Sequence, residues 1–149
     1  MKVSEVMQTE VKTIPADADI KAIAKILWEN KISGAPVVDQ NGKMIGVVSE
    51  GDLLHKETNP RVPDAIGILG AIIFYNGVKQ YDNDFKKLIA TNARQIMTKD
   101  VITISQEATI GEAATIMVNK KINRLPVVEA GKLVGIVTRI DIIKTLIDY

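Results

Sequence analysis

The sequence has no cysteine and only one histidine in 149 residues. The lack of cysteine excludes disulfides, thiolate nucleophiles and thiolate metal sites, and a single histidine excludes a polyhistidine metal site and catalysis by a histidine pair. The most apolar segment, residues 65–75, is too short to cross a bilayer as a helix. The N-terminus has no apolar run of signal-peptide length. These absences predict a soluble cytoplasmic protein with no membrane partner.

The sequence also has no excess of either charge, since 19 basic residues face 18 acidic ones. This balance provides no overall field that would attract nucleic acid. The sequence shows no nucleophile beside a base, no metal-ligand set and no phosphate loop of the Walker type. We therefore expect neither nucleic-acid binding nor catalysis, and no metal or resident cofactor. The length is sufficient for one domain with its own hydrophobic core.

The chain contains a tandem repeat. Residues 11–39 align without a gap with residues 101–129, at an offset of 90. The offset drops to 89 in the next turn because "DQNGK" has one residue more than "EAGK", and "GKMIGVVSEGDLL" then matches "GKLVGIVTRIDII". Turns are where a change of length costs least. The match is too long and too ordered to arise by chance, so we expect two copies of one structural unit.

Each copy predicts the element order β-α-β-β-α. An extended segment precedes a helix, which Asp19 can cap in the first copy and which a capping box of Thr109 and Glu112 begins in the second. Two strands rich in β-branched residues follow as a hairpin. A second helix then closes each copy.

An apolar insert separates the two copies. Its residues 78–89 place apolar side chains at helical spacing, so we expect the insert to contribute helices. The predicted organisation is therefore a first repeat (1–58), a helical insert (59–92) and a second repeat (93–149).

One phrase occurs in both copies, as "GVVSEGD" in the first and "GIVTRID" in the second. On one interpretation, Ser49 with Asp52 and Thr138 with Asp141 cap the helices that begin there. On the other, these residues bind a nucleotide, because a carboxylate can accept two hydrogen bonds from a ribose diol. The glycine that opens the phrase would let a flat ring approach the backbone. Both interpretations use the same groups, and the residues alone leave both open.

The duplication, the element order and these motifs together resemble a pair of cystathionine β-synthase (CBS) domains, also called a Bateman module. The resemblance lies in "VKTI…GAPVVD…GKMIGVVSEGDLL" and "VITI…NRLPVVE…GKLVGIVTRIDII" and covers nearly all of the chain outside the insert. It implies an α/β (α+β) fold of two β-α-β-β-α repeats packed as a pseudo-twofold pair, with the helical insert between them. It also implies a regulatory module that binds an adenosine nucleotide (AMP, ADP or ATP) in the cleft between the repeats.

The same resemblance leaves other functions open. The module could instead sense S-adenosylmethionine or NAD, or serve as a ligand-free structural module for dimerisation. In each case we expect a homodimer, because an isolated module would expose apolar faces. We also expect any regulated effector protein to be a separate chain.

The resemblance further implies a set of ligand-binding residues that come in equivalent pairs from the two repeats. The acids that hold the ribose, and the hydroxyls near them, are Asp52, Asp141, Ser49 and Thr138. The residues that line the adenine, or whose backbone reads its edge, are Thr13, Ile14, Ala35, Pro36, Thr103, Ile104, Leu125 and Pro126. The cations that face phosphate are Arg124 and Arg139, since an arginine fork fits phosphate well.

The two repeats differ where charge matters. Arg124 of the second repeat corresponds to Gly34 of the first, and Arg139 corresponds to Glu50. A phosphate-bearing ligand should therefore prefer surroundings built around the second repeat.

Overall fold

The computed structural model describes residues 1–55, 64–68, 71–76, 82, 86–87 and 89–147, with the backbone alone for 64–68 and 71–76. After a short 3-10 helix at Val3–Glu5, the first repeat has its five elements in the predicted order. They are β1 (Ile14–Pro15), α1 (Ile20–Asn30), β2 (Gly34–Val38), β3 (Met44–Ser49) and α2 (Glu50–Leu54). Strand β2 pairs in parallel with β1 and antiparallel with β3. 

Two strands lie in the insert, where we expected helix. Strands β4 (Asp64–Ile68) and β5 (Ala71–Asn76) pair antiparallel, so the helical expectation for this segment is wrong. Isoleucine and aromatic residues favour strands, and Gly67 in a helix interior would cost about 1 kcal/mol. The helical spacing of residues 78–89 therefore does not extend the helix back over residues 64–76, whose composition favours strands.

The later part of the insert agrees with the helical expectation as far as it is described. Every described residue from 82 to 89 has helical backbone. The apolar residues that were expected to share one face of this helix lie outside the described residues, apart from the exposed Ile89. They are Val78, Tyr81, Phe85 and Leu88.

The second repeat follows the same order as the first. Its elements are the short helix α3 (Ala93–Ile96), then α4 (Ile110–Lys120), β6 (Arg124–Glu129), β7 (Lys132–Thr138) and α5 (Arg139–Thr145). Strands β6 and β7 pair antiparallel, and Ile104 makes a parallel bridge to Val127 at the place that β1 has in the first repeat. The predicted β-α-β-β-α order is confirmed in both repeats.

Local side-chain chemistry sets where the longer helices begin. The Asp19 carboxylate accepts from the N–H of Ala22 at 2.7 Å at the start of α1. At the start of α4, the Thr109 N–H donates to Glu112 at 2.7 Å and the Thr109 hydroxyl accepts from the Glu112 N–H at 3.2 Å. Both predicted caps are thus present. Among the residues that the structure describes, no helix combines the length and apolarity needed to cross a membrane.

The segment that opens each repeat packs into the core of the other repeat. Val3 is fully buried in the core of the second repeat, and its N–H donates to the Ala108 carbonyl at 2.8 Å. Ile96 is likewise buried, but in the core of the first repeat. Residues 3–8 and 93–98 therefore tie the two repeats together by a reciprocal exchange.

This exchange explains the glycine that opens each repeated phrase. A Cβ on Gly46 would lie 2.5 Å from the Met97 sulfur, and one on Gly135 would lie 2.6 Å from the Met7 sulfur. Both distances are far below van der Waals contact. These glycines make room for the methionines of the exchanged segments, and not for a flat ring as the sequence suggested.

Candidate functional site

Two clefts lie between the repeats. The first cleft, of about 400 Å³, contains Ser49 and Asp52 of the first repeat together with residues 98, 100–102 and 121–124 of the second. The second cleft, of about 500 Å³, contains Thr138 and Arg139 of the second repeat together with residues 8, 10–12 and 31–34 of the first. The two sets match at the repeat offsets of 90 and 89. The clefts are thus equivalent, and each combines the repeated phrase of one repeat with walls from the other.

The repeated phrase places a buried carboxylate at the start of each second helix. In the first repeat, the N–H of Ser49 donates to Asp52 Oδ2 at 2.8 Å, and the hydroxyl of Ser49 lies 3.3 Å from the same oxygen. In the second repeat, the corresponding distances from Thr138 to Asp141 Oδ2 are 2.8 and 2.6 Å. The carboxylates are only 7% and 6% exposed. The capping interpretation of both phrases is therefore confirmed.

The two carboxylates differ in their further partners. Asp141 accepts from the neutral amide of Gln8, whose Nε2 lies 3.1 Å from both carboxylate oxygens. Asp52 instead forms an ion pair with the ammonium group of Lys87, which also lies 3.3 Å from the Ile96 carbonyl. A ribose diol that bound either acid would have to displace the present partner of that acid. This partner is a cation for Asp52 and a neutral amide for Asp141.

Arg124 lies between the clefts and lines both of them. Its Nη2 donates to the Ser33 hydroxyl of the first repeat at 2.5 Å. Burial lowers the pKa of its guanidinium, while the negative charges of Glu50 and Asp52 act in the opposite sense. A cation that is partly removed from water in this way has lost hydration that an anionic ligand could replace.

Arg139 lies at the mouth of the second cleft. It is exposed, and its Nη1 donates to the Asn123 side chain at 3.0 Å. Glu50 has the equivalent position in the first cleft. This single difference reverses the charge at the two mouths.

Counted over their lining residues in the described part of the chain, the clefts carry opposite formal charge. In the first, the three acids Glu50, Asp52 and Asp100 face two cations, which gives a net charge of −1. In the second, the one acid Glu10 faces four cations, which gives a net charge of +3. Those four cations are Lys12, Lys31, Arg124 and Arg139.

The structure brings together only part of the residue set that the sequence singled out. Ser49, Asp52, Arg124 and Pro126 line the first cleft, and Arg124, Thr138 and Arg139 line the second, where Gln8 separates Asp141 from the open space. The remaining candidates are all described, and none of them lines either cleft. They are Thr13, Ile14, Ala35, Pro36, Thr103, Ile104 and Leu125.

Most of these remaining candidates are core residues. Ile14 and Leu125 are fully buried, and Ala35 and Ile104 are 1% and 7% exposed. Pro36 is also fully buried, Thr13 is half-buried and Thr103 is exposed. Their side chains hold the walls in place, so a ligand would meet them through the backbone or after a local shift.

Sequence reasoning missed the contacts of both Gln8 and Lys87 with the acids of the repeated phrase. Met7 aligns with Met97 at the repeat offset of 90, and Gln8 follows Met7. This alignment alone indicates that residues 7–8 are structurally equivalent to residues 97–98. No comparable signal exists for Lys87, because the insert has no counterpart in the repeat.

Comparison with known proteins supports this description. The family model for the CBS domain matches residues 3–58 and 93–148. The uncharacterized protein MJ1426 of Methanocaldococcus jannaschii is 33% identical over 155 residues, which cover 99% of this chain and 92% of that protein. The chain spans less than half the length of several other curated relatives.

Solved structures share the fold. CBSX2 from Arabidopsis thaliana, determined in complex with AMP, has a TM-score of 0.75 at 24% identity and covers 99% of this chain and 96% of its own. The CBS domain pair of MJ0100, determined with 5′-methylthioadenosine and S-adenosyl-L-methionine, has a TM-score of 0.73 at 23% identity, with coverages of 99% and 97%. With two family matches on two equivalent repeats, this chain belongs to the CBS domain family and contains a tandem CBS pair.

Proposed function

We propose that this protein is a ligand-sensing regulatory module without catalytic activity, and that it binds AMP, ADP or ATP in the second cleft. The observation that carries the proposal is the charge of that cleft, where four cations face one acid. Phosphate groups are recognised by charge-assisted hydrogen bonds from arginine and lysine. The described lining residues of the first cleft have a net negative charge and should attract the same groups less strongly.

The groups around the second cleft suit the parts of a nucleotide. Asp141 would accept hydrogen bonds from the ribose hydroxyls once the Gln8 amide withdraws, and the Thr138 hydroxyl lies next to that carboxylate. Arg139 and Arg124 would bind phosphate oxygens from two sides. The charge and hydrogen-bonding pattern of the cleft therefore fits a ribose at one end and phosphate at the other.

We assign the adenine of this nucleotide to the wall supplied by the first repeat. Val11, Lys12 and Gly34 line the second cleft, and they directly adjoin the predicted adenine residues Thr13, Ile14, Ala35 and Pro36. By the repeat equivalence, Thr103, Ile104, Leu125 and Pro126 would serve a ligand in the first cleft. The AMP present in the CBSX2 structure supports the ligand class.

A thermal-shift panel tests this proposal. A ligand at 100 times its Kd adds about 2.7 kcal/mol to the free energy of unfolding, which should raise the Tm of this chain by about 5–10 °C. We expect AMP, ADP or ATP to produce this shift, and Arg139→Ala to reduce it strongly. Lys144→Ala, which removes an exposed cation from the last turn of the same helix, should leave it unchanged. A panel in which no adenosine compound stabilises the protein would overturn the proposal.

S-adenosylmethionine and NAD are the alternative ligands, and the same panel includes both. S-adenosylmethionine has a positive sulfonium group and no phosphate, so it suits the acidic first cleft better than the second. NAD has two phosphates and would again favour the second cleft.

We further propose that the module forms a homodimer through its outer helices, which would also be its role if it binds no ligand. Large apolar side chains are exposed on the helices of both repeats, including Trp28 at 84% and Val118 at 76%. Leu54 and Ile143 add to these surfaces. A monomer mass from multi-angle light scattering at micromolar concentration would contradict dimerisation.

A further inference from the structure

Arg124 is shared by two sites that the repeat would otherwise make independent. At equivalent positions, a symmetric pair would have one cation for each cleft, but this chain has Arg124 at one position and Gly34 at the other. Arg124 lines both clefts. The two ligand sites therefore have one central arginine between them.

The side chain of Arg124 is turned toward the second cleft. Its Nη2 is bound to Ser33, and a Cβ on Gly34 would lie only 2.5 Å from its Nη1. Ser33 and Gly34 are both part of the wall of the second cleft. The backbone of Arg124 lies at the beginning of β6 in the second repeat, and its side chain reaches Ser33 of the first repeat.

An anion in one cleft must therefore compete with the other cleft for this group. When a phosphate in the second cleft holds Arg124, Lys121 is the one cation left among the described lining residues of the first cleft, where Glu50 and Asp100 remain beside the paired Asp52. When the second cleft is empty, the guanidinium can leave the neutral Ser33 hydroxyl and meet a phosphate in the first cleft. A ligand without phosphate does not compete for the guanidinium of Arg124.

Building on the proposed function, we propose that Arg124 couples the two clefts negatively for phosphate-bearing nucleotides. AMP bound in the second cleft weakens the binding of AMP in the first, and adenosine, which has the same base and sugar, shows no such effect. Coupling free energies between sites correspond to affinity changes of about 5- to 150-fold. The effect depends on one residue, so removing its charge should abolish it.

Isothermal titration calorimetry with AMP tests the coupling. We expect the wild-type protein to show one tight and one weak binding event. Asp141→Asn disables the second cleft by removing the ribose-binding charge, and Arg139→Glu does so by reversing a phosphate-binding charge. In both variants, the AMP affinity of the first cleft should be about ten times the affinity of the weak event in the wild type. Arg139 is exposed, so its replacement leaves the fold intact even if Asp141→Asn does not.

Removal of the Arg124 charge provides the critical comparison. In an Arg124→Gln background, which keeps a hydrogen-bonding side chain next to Ser33, disabling the second cleft should no longer change the AMP affinity of the first. Adenosine should show no change in any background. An unaltered first-cleft affinity after the second cleft is disabled would overturn the coupling while leaving the proposed function in place. A protein that binds neither AMP nor adenosine would overturn the proposed function itself.

Discussion

Arg124 occupies the space that its repeat equivalent, Gly34, leaves free. The two positions meet between the repeats, and the guanidinium lies where a Cβ on Gly34 would be. Only one of two equivalent positions can have a large side chain at such a meeting point. Because Arg124 fills this space, position 34 of the first repeat has no room for a second large side chain, and the two repeats differ here.

Gly34→Ala should destabilise the fold by about 1–3 kcal/mol, because overpacking a filled interior costs about this much. The added Cβ would lie 2.5 Å from Arg124 Nη1 and 2.8 Å from the Val48 carbonyl oxygen. Chemical denaturation would measure the loss. Gly51→Ala is a suitable control, since a Cβ there meets nothing closer than the Ser49 hydroxyl at 3.6 Å. An equal loss of stability in both variants would contradict the close approach at Gly34.

Ile96→Ala should destabilise the first repeat, although Ile96 belongs to the second repeat in the sequence. The side chain is fully buried in the first core, and removal of a buried isoleucine costs about 2–5 kcal/mol. Hydrogen exchange should show faster opening of β2 and β3. Val118→Ala changes a side chain that is 76% exposed and should alter stability by less than about 0.5 kcal/mol. Faster exchange in β6 and β7 alone would argue against the exchanged packing.

Lys87→Met should have two effects, because Lys87 is the partner of Asp52 in the first cleft. Removal of a partner from a nearly buried carboxylate should lower stability by about 1–3 kcal/mol. Adenosine should then stabilise the variant more than the wild type, since no lysine has to leave the ribose-binding acid. Thermal unfolding with and without adenosine measures both effects.

Lys86→Met is the matched control for that experiment. Lys86 pairs with Asp82 at 3.0 Å, but both side chains are more than half exposed. Exposed pairs contribute about 0–1 kcal/mol, so little change is expected with or without adenosine. If the two variants behaved alike, the contact between Lys87 and Asp52 would not matter for either property.

The capping box of α4 predicts a pH dependence. Hydrogen bonds from the backbone and the hydroxyl of Thr109 lower the pKa of Glu112. A carboxylate whose pKa is lower in the folded state stabilises the fold above its unfolded pKa, and this contribution is lost as the pH falls through the folded pKa. The stability difference between the wild type and Glu112→Gln should therefore be present at pH 7 and shrink below about pH 4. A difference that stayed constant down to pH 2 would contradict this.

The sequence predicted the features that depend on local chemistry. Residues that are close together in the sequence determine the caps at Asp19 and Thr109, the hairpins, and the capping contacts of the two carboxylates in the repeated phrase. The contacts of Gln8, Lys87 and Arg124 could not be predicted, because each joins segments that are distant in the chain and come together only when the repeats pack.

Exchange of the charges at the two cleft mouths should remove the preference of AMP for the second cleft, because the described lining residues of each cleft would then carry a net charge of +1. Glu50 and Arg139 are equivalent, and each is exposed at the second helix of its repeat. A charge-assisted hydrogen bond contributes about 1.5–3 kcal/mol, and 1.4 kcal/mol is a factor of ten in affinity. Arg139→Glu should therefore weaken the tight AMP event about tenfold or more, and Glu50→Arg should strengthen the weak event by a similar factor.

The double variant Glu50→Arg with Arg139→Glu distinguishes a local effect of the mouth residues from a general effect of charge, because its net charge equals that of the wild type. The two clefts of this variant have equal formal charge, so Asp52→Asn and Asp141→Asn should each reduce AMP binding to a similar extent in calorimetry. In the wild type, Asp141→Asn alone should remove the tight event. If Asp141→Asn still removed the tight event from the double variant, the mouth residues would not determine which cleft binds phosphate.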